Sequence, residues 1–268
     1  MKGRVLIVAG SDSGGGAGIQ ADIKTVSALG GYAATAVTAL TAQNTQGVFG
    51  VHDVPPDFVA RQMELVLTDI GADCLKTGML ATVAIIEAVA DAIDRFAPDV
   101  PLVVDPVMVA KGGAALLAGN AALALVDKLV RRATVITPNI PEAEVLLGRA
   151  IPDRAAMDGA ARDLLALGAK AVLLKGGHME GDEVVDVLAL ADGTVIAFTG
   201  ARIQSRSTHG TGCTLASAIA CGLAQGLDLV QAVTRARAYV RKAIETAPGL
   251  GSGHGPLNHL HTVAEFQP

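Results

Sequence analysis

The feature that most constrains this chain is a rhythm. Short, apolar, β-branched runs recur along it, most ending in a glycine-rich or polar cluster that leads into a helical pattern. Arg4–Ala9 ends in Gly10–Gly18, Tyr32–Leu40 in Thr41–Gly47, and Leu102–Val104 in Asp105-Pro106-Val107. Ala133–Ile136 ends in Thr137-Pro138-Asn139, and Ala171–Leu174 in Lys175-Gly176-Gly177-His178. Cys74–Met79 is one more short strand. Runs this short and this uniformly apolar are strands buried on both faces. Strands alternating with helices imply an α/β fold: a doubly wound, mostly parallel sheet covered on both sides. The polar clusters then fall at the C-terminal strand ends, where they converge on one crevice.

Helical patterns fill the intervals: Ile19–Leu29, Pro55–Leu67, Thr82–Phe96, Asp153–Leu167, Cys213–Ala224 and Leu229–Thr246. Glu183–Leu190 and Thr194–Phe198 flank Ala191-Asp192-Gly193, a hairpin signal, so an antiparallel pair closes one edge of the sheet. Arg202–Ser205 reads as a further stretch of strand before the glycines at Gly210 and Gly212. No composition break or fixed-period repeat divides the 268 residues, so one domain, 1–268, is the expectation.

Charge and cysteine usage exclude several function classes. A net charge of −5 and a pI near 5.6 argue against a general grip on nucleic acid or an anionic membrane. Any anion must be held locally, by amides and a few cations. Cys74, Cys213 and Cys221 are odd in number and scattered, which suits a reducing compartment and makes a zinc site or disulfide framework unexpected. Met1–Gly10 is too short for a secretory signal. Thr214–Val233 is long and apolar but is broken by Gln225, Gly226, Asp228 and Gln231, so it reads as two helices rather than a span. A soluble, cytoplasmic protein is expected.

The chemistry concentrates in Thr208-His209-Gly210-Thr211-Gly212-Cys213-Thr214, where glycines open a helix. Turned amides and the positive end of the helix dipole make an anion hole there, with the Cys213 thiol on its rim. Gly10–Gly18 invites a dinucleotide reading, but its spacing is not G-x-G-x-x-G and Val37–Leu40 carries no acidic residue. A glycine-walled pocket for a flat ligand fits better. Gln43 offers both donors and an acceptor, the match for an aminopyrimidine edge, although a polar surface turn has the same composition. Met79 either packs on a ring or fills core.

Asp105 is either a carboxylate for magnesium and phosphate-linked water or a plain strand terminator before Pro106. Asn139 and Glu142 place an amide and a carboxylate one turn apart, which also describes a capping box. Lys175 is a cation at the same strand edge; with Asp105 and His209 it is a candidate contact to phosphate. Glycine-lined pocket, amide, carboxylates, lysine and anion hole are together the parts that phosphoryl transfer needs. No Walker A sequence is present, which excludes a P-loop kinase.

Several motifs in one order give the chain a family resemblance. Ala9-Gly10-Ser11-Asp12 through Ala17-Gly18-Ile19-Gln20-Ala21-Asp22, Thr41-Ala42-Gln43-Asn44-Thr45, Lys76-Thr77-Gly78-Met79-Leu80, Asp105-Pro106-Val107-Met108, Thr137-Pro138-Asn139-Ile140-Pro141-Glu142 and His209-Gly210-Thr211-Gly212-Cys213 closely resemble hydroxymethylpyrimidine/phosphomethylpyrimidine kinases, thiamine-pathway members of the ribokinase superfamily. The match runs to the Gly253-His254-Gly255-Pro256 tail.

The resemblance implies a ribokinase-like three-layer sandwich and two ATP-dependent phosphorylations, of 4-amino-5-hydroxymethyl-2-methylpyrimidine and then of its monophosphate. It implies that Gln43 reads the pyrimidine edge, that Gly10, Ala17, Met79 and Val107 line its pocket, and that Asn139 and Glu142 form an N-x-x-E magnesium motif with Asp105 nearby. Gly210, Thr211, Gly212 and Cys213 become the catalytic loop. Cys213 stands where related sugar kinases carry an aspartate base. Its thiol either acts as a base lowered by the helix N-terminus or contributes mainly its N–H to the anion hole. Ser13-Gly14 replaces a common Pro-Ser and reads as neutral, as does Thr77 in place of Ile. The alternatives are a pyridoxine/pyridoxal kinase or a non-catalytic pyrimidine-binding domain. A homodimer is expected from the family, and a lid is expected at Gly112–Ala118 or Ser205–His209.

Overall fold

Parallel strands buried on both faces form the centre of the molecule. The computed structural model describes residues 1–108, 121–264 and 267. Strands β1 (Arg4–Asp12), β2 (Tyr32–Asn44), β4 (Cys74–Thr77), β5 (Leu102–Val104), β6 (Val135–Ile136) and β7 (Ala171–Leu174) run parallel. Strand β3 (Gly47–Asp53) pairs antiparallel with β2 at one edge. At the other edge β8 (Glu183–Leu190) and β9 (Val195–Ala201) form the expected hairpin, with β8 antiparallel to β7. The order is β3-β2-β1-β4-β5-β6-β7-β8-β9.

Alternation along β1 divides the core in two. Leu6 and Val8 face one hydrophobic cluster, and Val5, Ile7 and Ala9 face the other. The first is covered by α2 (Pro56–Asp69), α3 (Val83–Phe96), α4 (Ala121–Lys128), α5 (Ile140–Leu147) and α6 (Met157–Leu165). The second is covered by α1 (Gly18–Ala28), α7 (Thr211–Ala224) and α8 (Leu229–Glu245). Helix α7 is buried from Thr214 to Gly222, which accounts for its continuous apolar run. A Cβ on Gly222 would lie 2.8 Å from that of Ala232, so small residues let α7 and α8 approach closely. Asp228 ends the apolar stretch as the N-cap of α8, in a capping box with Gln231. Among the described residues no helix is long and apolar enough to cross a membrane.

Four details depart from the pattern read in the sequence. Strand β1 continues past Ala9 through a register shift, so Ser11 and Asp12 pair with Leu40 and Thr41. The polar Thr41–Asn44 belongs to β2, which turns back at once into β3, a second antiparallel edge beyond the expected one. Strand β9 ends at Ala201, and Arg202–Ser205 is not strand: the Arg202 side chain donates instead to the carbonyls of Gly177 and Gly181. Helix α4 had no predicted counterpart. Lys111-Gly112-Gly113 and the candidate lid at Gly112–Ala118 lie outside the described residues.

Candidate active site

Neighbours β2 and β4 leave β1 on opposite sides, so the strand order reverses at β1. Ligand crevices in open α/β sheets form at such a reversal, beyond the C-terminal strand ends. A crevice of about 350 Å3 opens there. The expected pocket residues Gly10, Ala17, Gln43, Met79 and Val107 line it, as do the charged or polar Asp105, Asn139, Glu142, Lys175 and His209. Gly210, Thr211, Gly212 and Cys213 complete it.

The anion hole depends on two glycines. Gly210, the N-cap of α7, has φ +82°, and a Cβ there would lie 1.9 Å from the Gly16 carbonyl oxygen. No side chain fits, and the two glycine loops meet at this point. A Cβ on Gly212 would sit 3.1 Å from Lys175 Nζ and 3.7 Å from Asp105 Oδ2. The first-turn amides of α7, a lysine and a carboxylate therefore surround one space.

Lys175 Nζ donates to Asp105 Oδ1 at 3.0 Å and lies 3.9 Å from Glu142 Oε2. Thr137 Oγ1 also donates to Asp105 Oδ1, at 2.9 Å. Burial alone would raise the Asp105 carboxyl, but Lys175, Lys76 and these hydrogen bonds hold it below its ordinary value. Burial, with Asp105 nearby, pushes the Glu142 carboxyl up to about 7 against the lowering influence of the more distant Lys175 and of the Asn139 amide. Burial works against the charge of Lys175, yet Asp105 and Glu142 outweigh it and raise its pKa. Asn139 and Glu142 do form a capping box: Asn139 Oδ1 accepts from the Glu142 amide, and Glu142 Oε2 from the Asn139 amide.

Burial raises the Cys213 thiol to about 12, against the lowering influence of Lys76. Cys213 lines the crevice from the first turn of α7, so its thiol and its main-chain amide are both at the site.

The substrate end is built from contacts that sequence spacing does not reveal. His209, expected at phosphate, turns its ring the other way: Nε2 lies 2.8 Å from Asp12 Oδ2 and 2.9 Å from Gln43 Nε2. Asp12 also accepts from the amides of Gly14, Gly16 and Ala17, which organises the glycine loop. Ser13 clamps Gln43, its hydroxyl donating to the Gln43 carbonyl and accepting from the Gln43 amide. Met79 packs with Ala39 and Val107, and a Cβ on Gly10 would lie 3.3 Å from its sulfur. Beneath this floor, Lys76 Nζ donates to Asp22 Oδ2 at 2.9 Å, with both side chains fully buried, and Ser217 donates to Asp22 Oδ1.

A larger cavity of about 690 Å3 adjoins the crevice. The two share Asn139, Lys175, His178, Thr208, Thr211 and Gly212. Its far wall includes Phe198, with the Arg237 guanidinium 5.3 Å from the ring centroid and bonded to Asp186 at 2.7 Å. Nothing in the sequence marked this wall, because its residues come from β8, β9 and α8 without a local motif.

Two cavities meeting at a lysine and a helix N-terminus, on a doubly wound sheet with antiparallel edges, define a small-molecule phosphotransferase of ribokinase-like fold. Comparison with known proteins narrows the class. The model of the family described as phosphomethylpyrimidine kinase matches residues 12–258. The hydroxymethylpyrimidine/phosphomethylpyrimidine kinase of Rhizobium meliloti is 48% identical, over 96% of each chain. The thiamine biosynthesis bifunctional protein ThiED of Geobacter sulfurreducens is 54% identical over 97% of this chain, which spans 52% of that longer protein. Among solved structures, an ADP complex of Bacillus subtilis pyridoxal kinase superposes with TM-score 0.88 at 35% identity, covering 97% of this chain and 98% of that one. The chain belongs to the phosphomethylpyrimidine kinase family.

Proposed function

We propose that this protein transfers the γ-phosphoryl group of ATP to the hydroxymethyl oxygen of 4-amino-5-hydroxymethyl-2-methylpyrimidine, and then phosphorylates the resulting monophosphate, as a step of thiamine biosynthesis or salvage. The observation that carries this reading is the junction of the two cavities at Lys175, Thr211 and Gly212. A flat alcohol in the smaller, glycine-walled crevice and a nucleotide in the larger cavity would bring acceptor and donor together at that junction. Lys175 and the α7 amides stabilise charge developing on the transferred group. Gln43 orients the pyrimidine. Gly210 and Gly212 let the main chain approach the phosphoryl oxygens, and Cys213 contributes its amide.

Magnesium suits the donor set. Glu142 and Asp105 supply hard carboxylate oxygens, and the raised Glu142 carboxyl is a charge that a cation would stabilise. Among the described residues no group of three His, Cys, Asp or Glu forms a metal cage, so phosphate oxygens and water would complete the shell. When bound, magnesium neutralises phosphate charge.

A second reading, pyridoxal phosphorylation, draws on the B. subtilis pyridoxal kinase likeness. We also read the chain as a single kinase unit acting as a homodimer: Phe49 and Val51 on edge strand β3 are 69% and 47% exposed, an apolar edge suited to a second copy. The deciding experiment is ADP release with magnesium-ATP, run separately on hydroxymethylpyrimidine, its monophosphate and pyridoxal. Turnover on the first two is expected. Turnover on pyridoxal alone moves the chain to the second reading, and silence on all three rejects both.

A further inference from the structure

The contacts around Gln43 carry more information than its position does. Asp12 Oδ2 lies 2.8 Å from His209 Nε2 and also accepts from the Gly16 and Ala17 amides. Burial by itself would raise the Asp12 carboxyl, but the His209 contact and the Ala17 and Gly14 amides hold it below its ordinary value. Three main-chain amides donate to Asp12, the pattern of an ionised carboxylate, which only accepts, so the hydrogen in the Asp12–His209 contact belongs to Nε2. Gln43 Nε2 lies 2.9 Å from that same nitrogen, and an amide nitrogen only donates. Two donors cannot face each other at that distance. With the amide oxygen on that side, the single Nε2 hydrogen is shared between Asp12 Oδ2 and the Gln43 oxygen in a three-centre bond, and the conflict is removed.

The other end of the amide agrees. The terminal amide atom of Gln43 on the side away from His209 lies 3.5 Å from Thr41 Oγ1, and the Thr41 hydroxyl donates at 2.9 Å to the Ser11 carbonyl. The Thr41 hydrogen is therefore committed, and its oxygen is left to accept from an amide N–H. Both neighbours favour one orientation, with oxygen toward His209 and nitrogen toward Thr41. The main chain cannot shift to accommodate the other, because the Ser13 hydroxyl bonds both the amide and the carbonyl of Gln43, at 2.9 and 2.8 Å.

We infer that Asp12 and His209 are specificity-determining positioning residues, which hold the Gln43 amide in a single sense and so select ligands whose heteroaromatic edge carries an amine beside a ring-nitrogen acceptor. With one oxygen lone pair and one N–H occupied, the amide keeps one acceptor and one donor, in fixed order. An amine next to a ring acceptor pairs with that order. An oxo group next to a ring N–H presents the reverse, and a free amide would simply rotate to suit it. The locked amide does not. A site built around a committed hydrogen bond rejects the mismatched partner by leaving buried polar groups unpaired, worth about ten- to a hundred-fold.

This inference rests on the pyrimidine reading for its ligand but not for its geometry, and the test separates the two. Nitrogen-15 NMR of the histidine rings in the free protein is expected to show a hydrogen on His209 Nε2; a bare Nε2 overturns the relay whatever the substrate is. Values of kcat/KM are then compared for 4-amino-5-hydroxymethyl-2-methylpyrimidine and its 4-oxo counterpart. The wild type is expected to prefer the amine by at least about ten-fold, with the difference in KM rather than kcat. His209→Phe frees the amide, so the preference should fall to within about three-fold. His209→Gln restores an N–H near the Nε2 position and should restore the preference. An unchanged preference in His209→Phe overturns the inference, as does failure of His209→Gln to differ from it. If neither pyrimidine turns over, the proposed substrate falls, while a hydrogen on Nε2 in the same spectra still supports the locked amide.

Discussion

Two lysines stand at the C-terminal end of the sheet, and they differ in how their charge is balanced. Lys76, in β4, has no exposed surface and meets the equally buried Asp22, whose second oxygen accepts from Ser217. One positive charge faces one negative charge, and from beneath the crevice floor Lys76 reaches Asp105 and Cys213 only through its field. Lys175, just beyond β7, keeps 13% of its side chain exposed and faces both Asp105 and Glu142. Once pH rises above about 7 and Glu142 ionises, that cluster carries more negative than positive charge, and it opens into the crevice. A balanced, sealed pair belongs to the fold, whereas an unbalanced, open one awaits a cation and a phosphate.

The largest expected effect would break this comparison if it failed. Lys76→Met leaves Asp22 buried without its partner and is expected to destabilise the fold by about 3–5 kcal/mol. The double variant with Asp22→Leu should recover most of that loss, since an apolar pair of similar volume often substitutes without cost. Lys175→Met should act chiefly on catalysis, lowering kcat/KM by about a thousand-fold through lost charge stabilisation, with a smaller loss of stability than Lys76→Met because its carboxylates border the open crevice. Chemical denaturation and steady-state kinetics on the same variants decide it. A stable Lys76→Met, or an active Lys175→Met, would erase the distinction.

This contrast also shows what could be read from the chain. The positions of Asp105, the Asn139/Glu142 pair and the Gly210–Cys213 loop were legible because each is a local signature at a strand or helix end, although the partners of Asp105 lie 32 and 70 residues away. The parallel core was legible for the same reason. Lys76 and Asp22 are 54 residues apart, and His209 and Asp12 are 197 apart. Such partners are set by the order in which strands enter the sheet, which no spacing states. Strand β3 was missed because Thr45-Gln46 is a weak turn signal and the strand's outward face is exposed rather than apolar throughout. The contacts of His209 were not legible for a simpler reason: it precedes the anion hole in sequence, but its ring points back across to Asp12 and Gln43.

A smaller effect would sharpen the open side of the comparison. Gln can accept the Asn139 hydrogen bond as Glu does, so Glu142→Gln preserves the capping box and removes only the charge. The magnesium concentration for half-maximal rate is expected to rise about ten-fold. An unchanged titration would leave Glu142 a cap and nothing more. The pH dependence provides an independent check. Burial raises the Glu142 carboxyl to about 7, so the folded state binds its proton more tightly than the unfolded chain does. The stability from that proton is complete below the ordinary carboxylate range and is lost as pH rises through 7. Without magnesium, the wild-type melting temperature should fall across that window relative to Glu142→Gln, and added magnesium should reverse the fall.

The smallest expected effect concerns the residue nearest the chemistry. Lys76 draws the Cys213 thiol toward ionisation, while burial together with Asp22 and Asp105 drives it up to about 12. A base that far above neutral is almost wholly protonated in the resting site and contributes little proton abstraction. Its amide, by contrast, belongs to the first turn of α7 and is independent of the side chain. Cys213→Ala keeps that amide and should retain kcat within about three-fold for both phosphorylations. A loss of a hundred-fold or more would mean that bound nucleotide and magnesium supply enough positive charge to ionise the thiol. The open cluster would then be organised around Cys213 as well as around Lys175, and the catalytic advantage of an unbalanced charge would be to create a base rather than only to receive a phosphate.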